Sequence, residues 1–139
     1  MPSKAIFLPA LAMVALTCAV WIRLYMVRIG QMRRDRIHPQ ALATSAQAAA
    51  RLTDSAAADN FRNLFELPVL FYLALVVAAS SGLANAATLV LAWAFVALRV
   101  LHSLIHCGYN RVMHRFLVYV AGAFALWALW IHLAIGLLR

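Results

Sequence analysis

Arg62-Asn63-Leu64-Phe65-Glu66-Leu67-Pro68-Val69-Leu70-Phe71 is the stretch that decides the fold. Two ionisable groups and an amide run directly into an apolar segment. From Leu67 to Ser80 no strongly polar residue interrupts. Fourteen helical residues rise only about 21 Å, short of the ~30 Å hydrocarbon core of a bilayer. A membrane helix here must take in Arg62, Asn63 and Glu66 near one end. Each charge costs a few kcal/mol or more in hydrocarbon. Such groups persist in membrane helices mostly where they face a protein interior, and by default they mark function.

The rest of the chain supports the membrane reading. Of 139 residues, 66% are hydrophobic and only 12% charged, about half the charged fraction of a soluble domain. Mean hydropathy is +0.87. One domain is the natural count, and a chain this short has little bulk for an enclosed site, which favours oligomerisation. The net charge of +8 comes from cations that flank the apolar runs. They face anionic lipid head groups and set topology rather than bind nucleic acid. Cys18 and Cys107 lie in different apolar segments without CxxC spacing, so they read as small buried hydrophobes, not a disulfide framework. Lys4 and the apolar run after it show no cleavage boundary before Val20-Trp21-Ile22, so this segment reads as a retained helix.

Four segments reach the ~20 residues a span needs: about 5–27, 61–80, 84–106 and 115–137. Together they form one all-α four-helix transmembrane domain over residues 1–139. Ser80-Ser81-Gly82 is a tight hairpin signal, and Cys107-Gly108-Tyr109-Asn110 separates the last two spans. The long first loop is Ala-rich over 41–58 and suits partial helix. It carries Arg28, Arg33, Arg34, Arg36 and Arg51. The third loop carries Arg111 and Arg115, and the second carries none. The positive-inside rule puts the first and third loops in the cytoplasm.

Counting from the hairpin at Gly82, Glu66 lies sixteen residues back and Arg99 seventeen forward. Both fall roughly 25 Å from the turn, so the sequence predicts a Glu66–Arg99 ion pair between neighbouring helices. Asn63, His102 and Ser103 form a second polar layer. Asp59, Asn63 and Glu66 share one helical stripe, as do Arg99, His102 or Ser103, and His106. With Arg111, Arg115, Arg33, Arg34 and Arg36 they predict a cationic pocket at the cytoplasmic end, suited to an anionic ligand with an apolar portion. The same polar pairs also serve helix packing alone. His102 and His106 stand at i, i+4, yet two ligands complete neither a zinc nor a haem site, and His132 sits near the opposite end. No metal site is expected. Ser103 lacks a nucleophile elbow, and Trp93, Trp127, Trp130 and Tyr119 read as lipid-facing or core aromatics.

These residues resemble the MAPEG superfamily, the membrane-associated proteins of eicosanoid and glutathione metabolism, in a divergent bacterial-type form. The resemblance covers nearly the whole chain. It rests on Arg62-Asn63-x-x-Glu66 with Leu67-Pro68-Val69-Leu70-Phe71, on Gly30-Gln31-Met32-Arg33, and on Arg99-Val100-Leu101-His102-Ser103. It implies a homotrimer in a bacterial inner membrane. It also implies a glutathione site between subunits at the cytoplasmic side. Asn63, Glu66 and Arg33 would bind the tripeptide, with Arg62, Arg99, His102 and His106 around it. Arg115 would act catalytically by stabilising the thiolate. A free thiol has a pKa of about 8.5, and a guanidinium beside it raises the nucleophilic fraction at neutral pH. The thiolate would attack a lipophilic electrophile or reduce a lipid hydroperoxide arriving from the bilayer. Two positions depart from the pattern. Asp59 stands where glutathione-using members carry arginine, and His106 where they carry tyrosine. Asp59 reverses the charge beside a ligand with two carboxylates and weakens that ligand's binding. A non-catalytic lipid- or ligand-binding protein on the same scaffold is the alternative.

Overall fold

The computed structural model describes residues 3–139, and every regular element among them is helical. A 3-10 turn over Ser3–Phe7 enters α1 (Leu8–Arg34). A second 3-10 turn, Pro39–Leu42, leads to α2 (Ser45–Arg51) and α3 (Ala56–Asn63). Then come α4 (Leu67–Ser80), α5 (Ala86–Cys107) and α6 (Val112–Leu137). Four helical stretches are long and apolar enough to cross a membrane: Lys4–Arg34, Ala56–Ser80, Ala86–Cys107 and Val112–Leu137.

The first helix runs further than its apolar length requires. No breaker intervenes before Arg34, and Arg33 and Arg34 in the last turn complement the helix dipole. The second span differs from the single helix expected of it. It is two helices, α3 and α4, joined by a turn over Leu64–Glu66. Pro68 is the reason. In a continuous helix its ring would collide with the Leu64 carbonyl, and it restricts Leu67 as well. As second residue of α4 it does no harm, because an N–H there has no helical acceptor. The turn is closed by Leu64 N–H to the Asn60 carbonyl (3.2 Å) and Phe65 N–H to the Arg62 carbonyl (3.0 Å).

In the first loop α2 starts with a reciprocal cap. The Gln47 N–H donates to Thr44 Oγ1 at 3.2 Å, and the Thr44 N–H donates to Gln47 Oε1 at 3.1 Å. Gln31, buried on α1, ties the loop down through Nε2 to Thr53 Oγ1 at 3.0 Å.

Without a hydrophobic drive between helices in lipid, close packing must hold the bundle together. α5 lies along α6, and α3 packs on α1 and α5. α4 rests mainly on α6, touching α5 through the stacked rings of Phe71 and Phe95, 4.7 Å apart. Ala74, Ala78, Ala92 and Gly122 are buried at these contacts, where small side chains admit close approach. Met13, Leu75, Leu126, Leu129 and Leu133 fill the remaining core. Arg23 Nη2 donates to the Cys107 carbonyl at 2.7 Å, satisfying an orphan acceptor at the end of α5. This bond brings the first and third loops to one end of the bundle. Gly136 admits the Leu83 side chain, which brings the second loop to the other end.

The turn after α5 depends on Gly108. A Cβ there would lie 2.7 Å from the Leu104 carbonyl oxygen, which is backbone and cannot swing away. Gly108→Ala is expected to lower stability by about 1–3 kcal/mol, read as a lower thermal midpoint of the detergent-solubilised protein.

Candidate functional site

The polar groups singled out in the sequence divide into a buried set and an exposed set. Arg99, His102, Ser103 and His106 form the buried stripe of α5. Its helical spacing turns all four away from lipid. Arg99 is only 1% exposed. Its guanidinium carbon lies 4.7 Å from the Tyr119 ring centre and 5.2 Å from that of Phe95. This is cation–π geometry in a desolvated place. Gly122 of α6 makes the room, since a Cβ on it would stand 3.7 Å from Arg99 Nε and 3.8 Å from Nη2.

The Glu66–Arg99 pair expected from depth does not form. Arg99 Nη1 and Nη2 have no hydrogen-bond partner among the described residues, and Glu66 is exposed at the turn before α4. The two side chains point to different places. Arg99 faces α6, while the break before Pro68 leaves Glu66 outside.

His102 builds the start of α6. Its Nδ1 lies 3.2 Å from the Arg115 carbonyl. A carbonyl only accepts, so Nδ1 carries the hydrogen and Nε2 of the neutral ring is an acceptor. Asn110, at φ 47°, accepts from Arg115 Nη1 at 2.8 Å. Both the backbone and the head of Arg115 are therefore held, and the residue is half-buried. The His106 ring stands perpendicular to that of His102 at 5.5 Å, and the Tyr119 ring lies 5.8 Å from that of His102. Among the described residues no three His, Cys, Asp or Glu side chains gather to hold a metal ion.

The exposed set lies apart from this stripe. Arg33 ends α1 in the open. Arg62 is exposed and pairs with Asp59, Nη2 to Oδ1 3.6 Å. Asn63 is half-buried in the last turn of α3. Neither the Asn63 nor the Glu66 side chain has a hydrogen bond or ion pair among the described residues. Within one chain, then, the buried stripe and Arg115 come together, while Arg33, Asn63 and Glu66 do not join them.

Two residues of the buried network went unread in the sequence. Asn60 is fully buried, accepts from Ser103 Oγ at 3.3 Å and donates to Cys107 Sγ at 3.5 Å, pinning α3 to α5. Its signal was available, because Asn60 and Ser103 stand twenty-two and twenty-one residues from Gly82. From sequence Tyr119 reads as a core or lipid-facing aromatic. Yet Arg99 and Tyr119 stand ten residues either side of Tyr109, at matched depth across the last hairpin.

Comparison with curated proteins and with solved structures gives no significant match. A sequence model of the MAPEG family matches residues 6–135, a range that overlaps all four apolar stretches and contains both polar sets. The chain is a multi-pass membrane protein and belongs to the MAPEG family.

Proposed function

We propose that this protein is a glutathione-dependent membrane enzyme, a transferase or peroxidase acting on lipophilic electrophiles or lipid hydroperoxides. It works as a homotrimer in a bacterial inner membrane, with the first and third loops cytoplasmic and the glutathione sites between subunits. The observation that carries this reading is the unpaired Asn63 and Glu66 at the outer edge of the bundle, beside the exposed apolar Phe65 and Val69. An unpaired carboxylate on an apolar rim is costly unless a ligand or a second copy completes its surroundings. Arg33 and the held Arg115 add cationic donors at the same end of the bundle.

In the transferase reaction the thiolate, stabilised by Arg115, bonds to the electrophilic carbon and the leaving group departs with the electron pair. In the peroxidase reaction it attacks the distal peroxide oxygen, the O–O bond breaks and an alcohol leaves. A second glutathione thiol then attacks the sulfenic sulfur, the S–O bond breaks, water leaves and the disulfide forms. Glutathione added to the solubilised protein is expected to produce thiolate ultraviolet absorbance at neutral pH. Arg115→Ala is expected to reduce that signal and the conjugation rate about tenfold or more. No thiolate signal, together with unchanged conjugation in the variant, would sink the mechanism.

Asp59 favours a second reading, a non-catalytic ligand-binding protein. It occupies Arg62 and places a negative charge one turn before Asn63. On that reading Asp59→Arg creates or strengthens glutathione affinity, whereas ready saturation of the unmodified protein counts against it.

A further inference from the structure

Between α1, α2 and α3 lies a cavity of about 570 Å³ that the residues above do not explain. Its size is that of a small-molecule site. Ala48 and Ala58 leave the space open, and four charged residues line it: Arg28, Asp54, Asp59 and Arg62. Two of these neutralise one another, since Arg62 pairs with Asp59, which also accepts from the Ser55 hydroxyl at 2.7 Å. The other two are left over. Arg28 has no ion pair among the described residues, and its Nε is buried without an acceptor. Asp54 has no ion pair among them either, and its Oδ1 accepts only the Ala56 N–H, at 3.3 Å.

A cation and an anion that share one cavity without meeting each other complement a molecule bearing both charges. Asp54 also lines an adjoining cavity of about 250 Å³ with Gln31, which is 3% exposed and whose Oε1 lacks a donor, and with Arg34, whose Nε donates to Asp35 Oδ1 at 3.3 Å. The walls are fixed in advance by the Thr44–Gln47 cap and by the Gln31–Thr53 bond. Preorganisation of this kind lowers the entropy lost on binding.

We propose that this cavity binds a small zwitterion, with Arg28 on its anionic group and Asp54 on its ammonium group. Amino acids, short peptides and the heads of ethanolamine phospholipids share this chemistry. Of the residues assigned to glutathione only Arg62 also lines this cavity, and there it is paired with Asp59. Arg28 and Asp54 belong to this site alone, so their variants with a thiol-free probe keep the two readings distinguishable.

The test is calorimetric titration of the full chain in a non-ionic detergent. The probes are glycylglycine, N-acetylglycylglycine, glycylglycinamide and glycerophosphoethanolamine, at millimolar concentrations. Glycylglycine or glycerophosphoethanolamine is expected to saturate the protein, and whichever binds more tightly identifies a soluble or a lipid source. Blocking either end of the peptide is expected to weaken binding about tenfold. Arg28→Gln removes the preference over the amide, Arg28→Lys keeps it, and Asp54→Asn removes the preference over the acetyl peptide. Absence of saturable binding by both zwitterions overturns the proposal, as do blocked peptides that bind as well as the parent.

Discussion

Asn60→Asp is expected to destabilise the protein by about 3–5 kcal/mol, the usual cost of a buried charge with no counter-charge. Asn60 has no exposed surface, and its partners are the Ser103 hydroxyl and the Cys107 thiol, neither a cation. The substitution keeps the shape of the side chain but exchanges a donor for a carboxylate oxygen facing sulfur. Asn60→Leu should cost much less, on the order of 1 kcal/mol. The Ser103 hydroxyl can then turn to a carbonyl one turn back on its own helix, and a thiol loses little without a donor. Unfolding of the detergent-solubilised variants by heat or denaturing detergent would rank them. An aspartate variant as stable as the parent would mean that water or a cation reaches position 60, and the tie between α3 and α5 would need another explanation.

Asn60 also shows where sequence reading stopped. The four spans were legible because bilayer thickness and helix rise leave few ways to place four apolar runs. The stripe of Arg99, His102, Ser103 and His106 was legible because its helical spacing collects them on one face, and all four are buried. What failed was the inference from depth to contact. Rise per residue fixes how far a side chain lies along the bundle, not which neighbour it faces. Arg99 has Tyr119 and Gly122 of α6 against it, whereas the expectation gave it Glu66. Pro68 stood in the opening motif, yet the demand for a full-length span carried a single helix through it. The chain instead breaks over Leu64–Glu66, which undoes the stripe of Asp59, Asn63 and Glu66 that assumed continuous helix. The charges of the first loop were legible as a patch. Arg62 and Asp59 pair at i, i+3 within α3, which helical spacing does encode. That Arg28 and Asp54 share a cavity without pairing depends on the path of a loop, which no periodicity encodes.

Gly122→Leu is expected to cost about 3 kcal/mol or more, because it fills the space that Arg99 occupies. Overpacking a fitted core costs about 1–3 kcal/mol, and pushing the guanidinium off the Tyr119 and Phe95 rings forfeits a desolvated cation–π contact of about 2 kcal/mol. Gly122→Ala should be tolerated, since its Cβ at 3.7 Å makes ordinary contact with Arg99 and alanine favours the helix by about 1 kcal/mol. The decisive variant is double. Arg99→Ala empties the space that Gly122→Leu fills, so the pair should recover most of the stability that Gly122→Leu loses, with a coupling of about 1 kcal/mol or more. Strict additivity would show that Arg99 does not occupy that space. Arg99→Met then separates packing from binding. A buried cation without a paired anion is replaced by an apolar chain of similar reach, and stability should hold or rise by about 1–3 kcal/mol. If glutathione affinity falls in that stable variant, Arg99 contributes to the ligand's surroundings despite facing α6. If affinity is unchanged, the two rings and Gly122 hold Arg99 as a packing element, and the cations that serve the ligand are the more exposed Arg33 and Arg115.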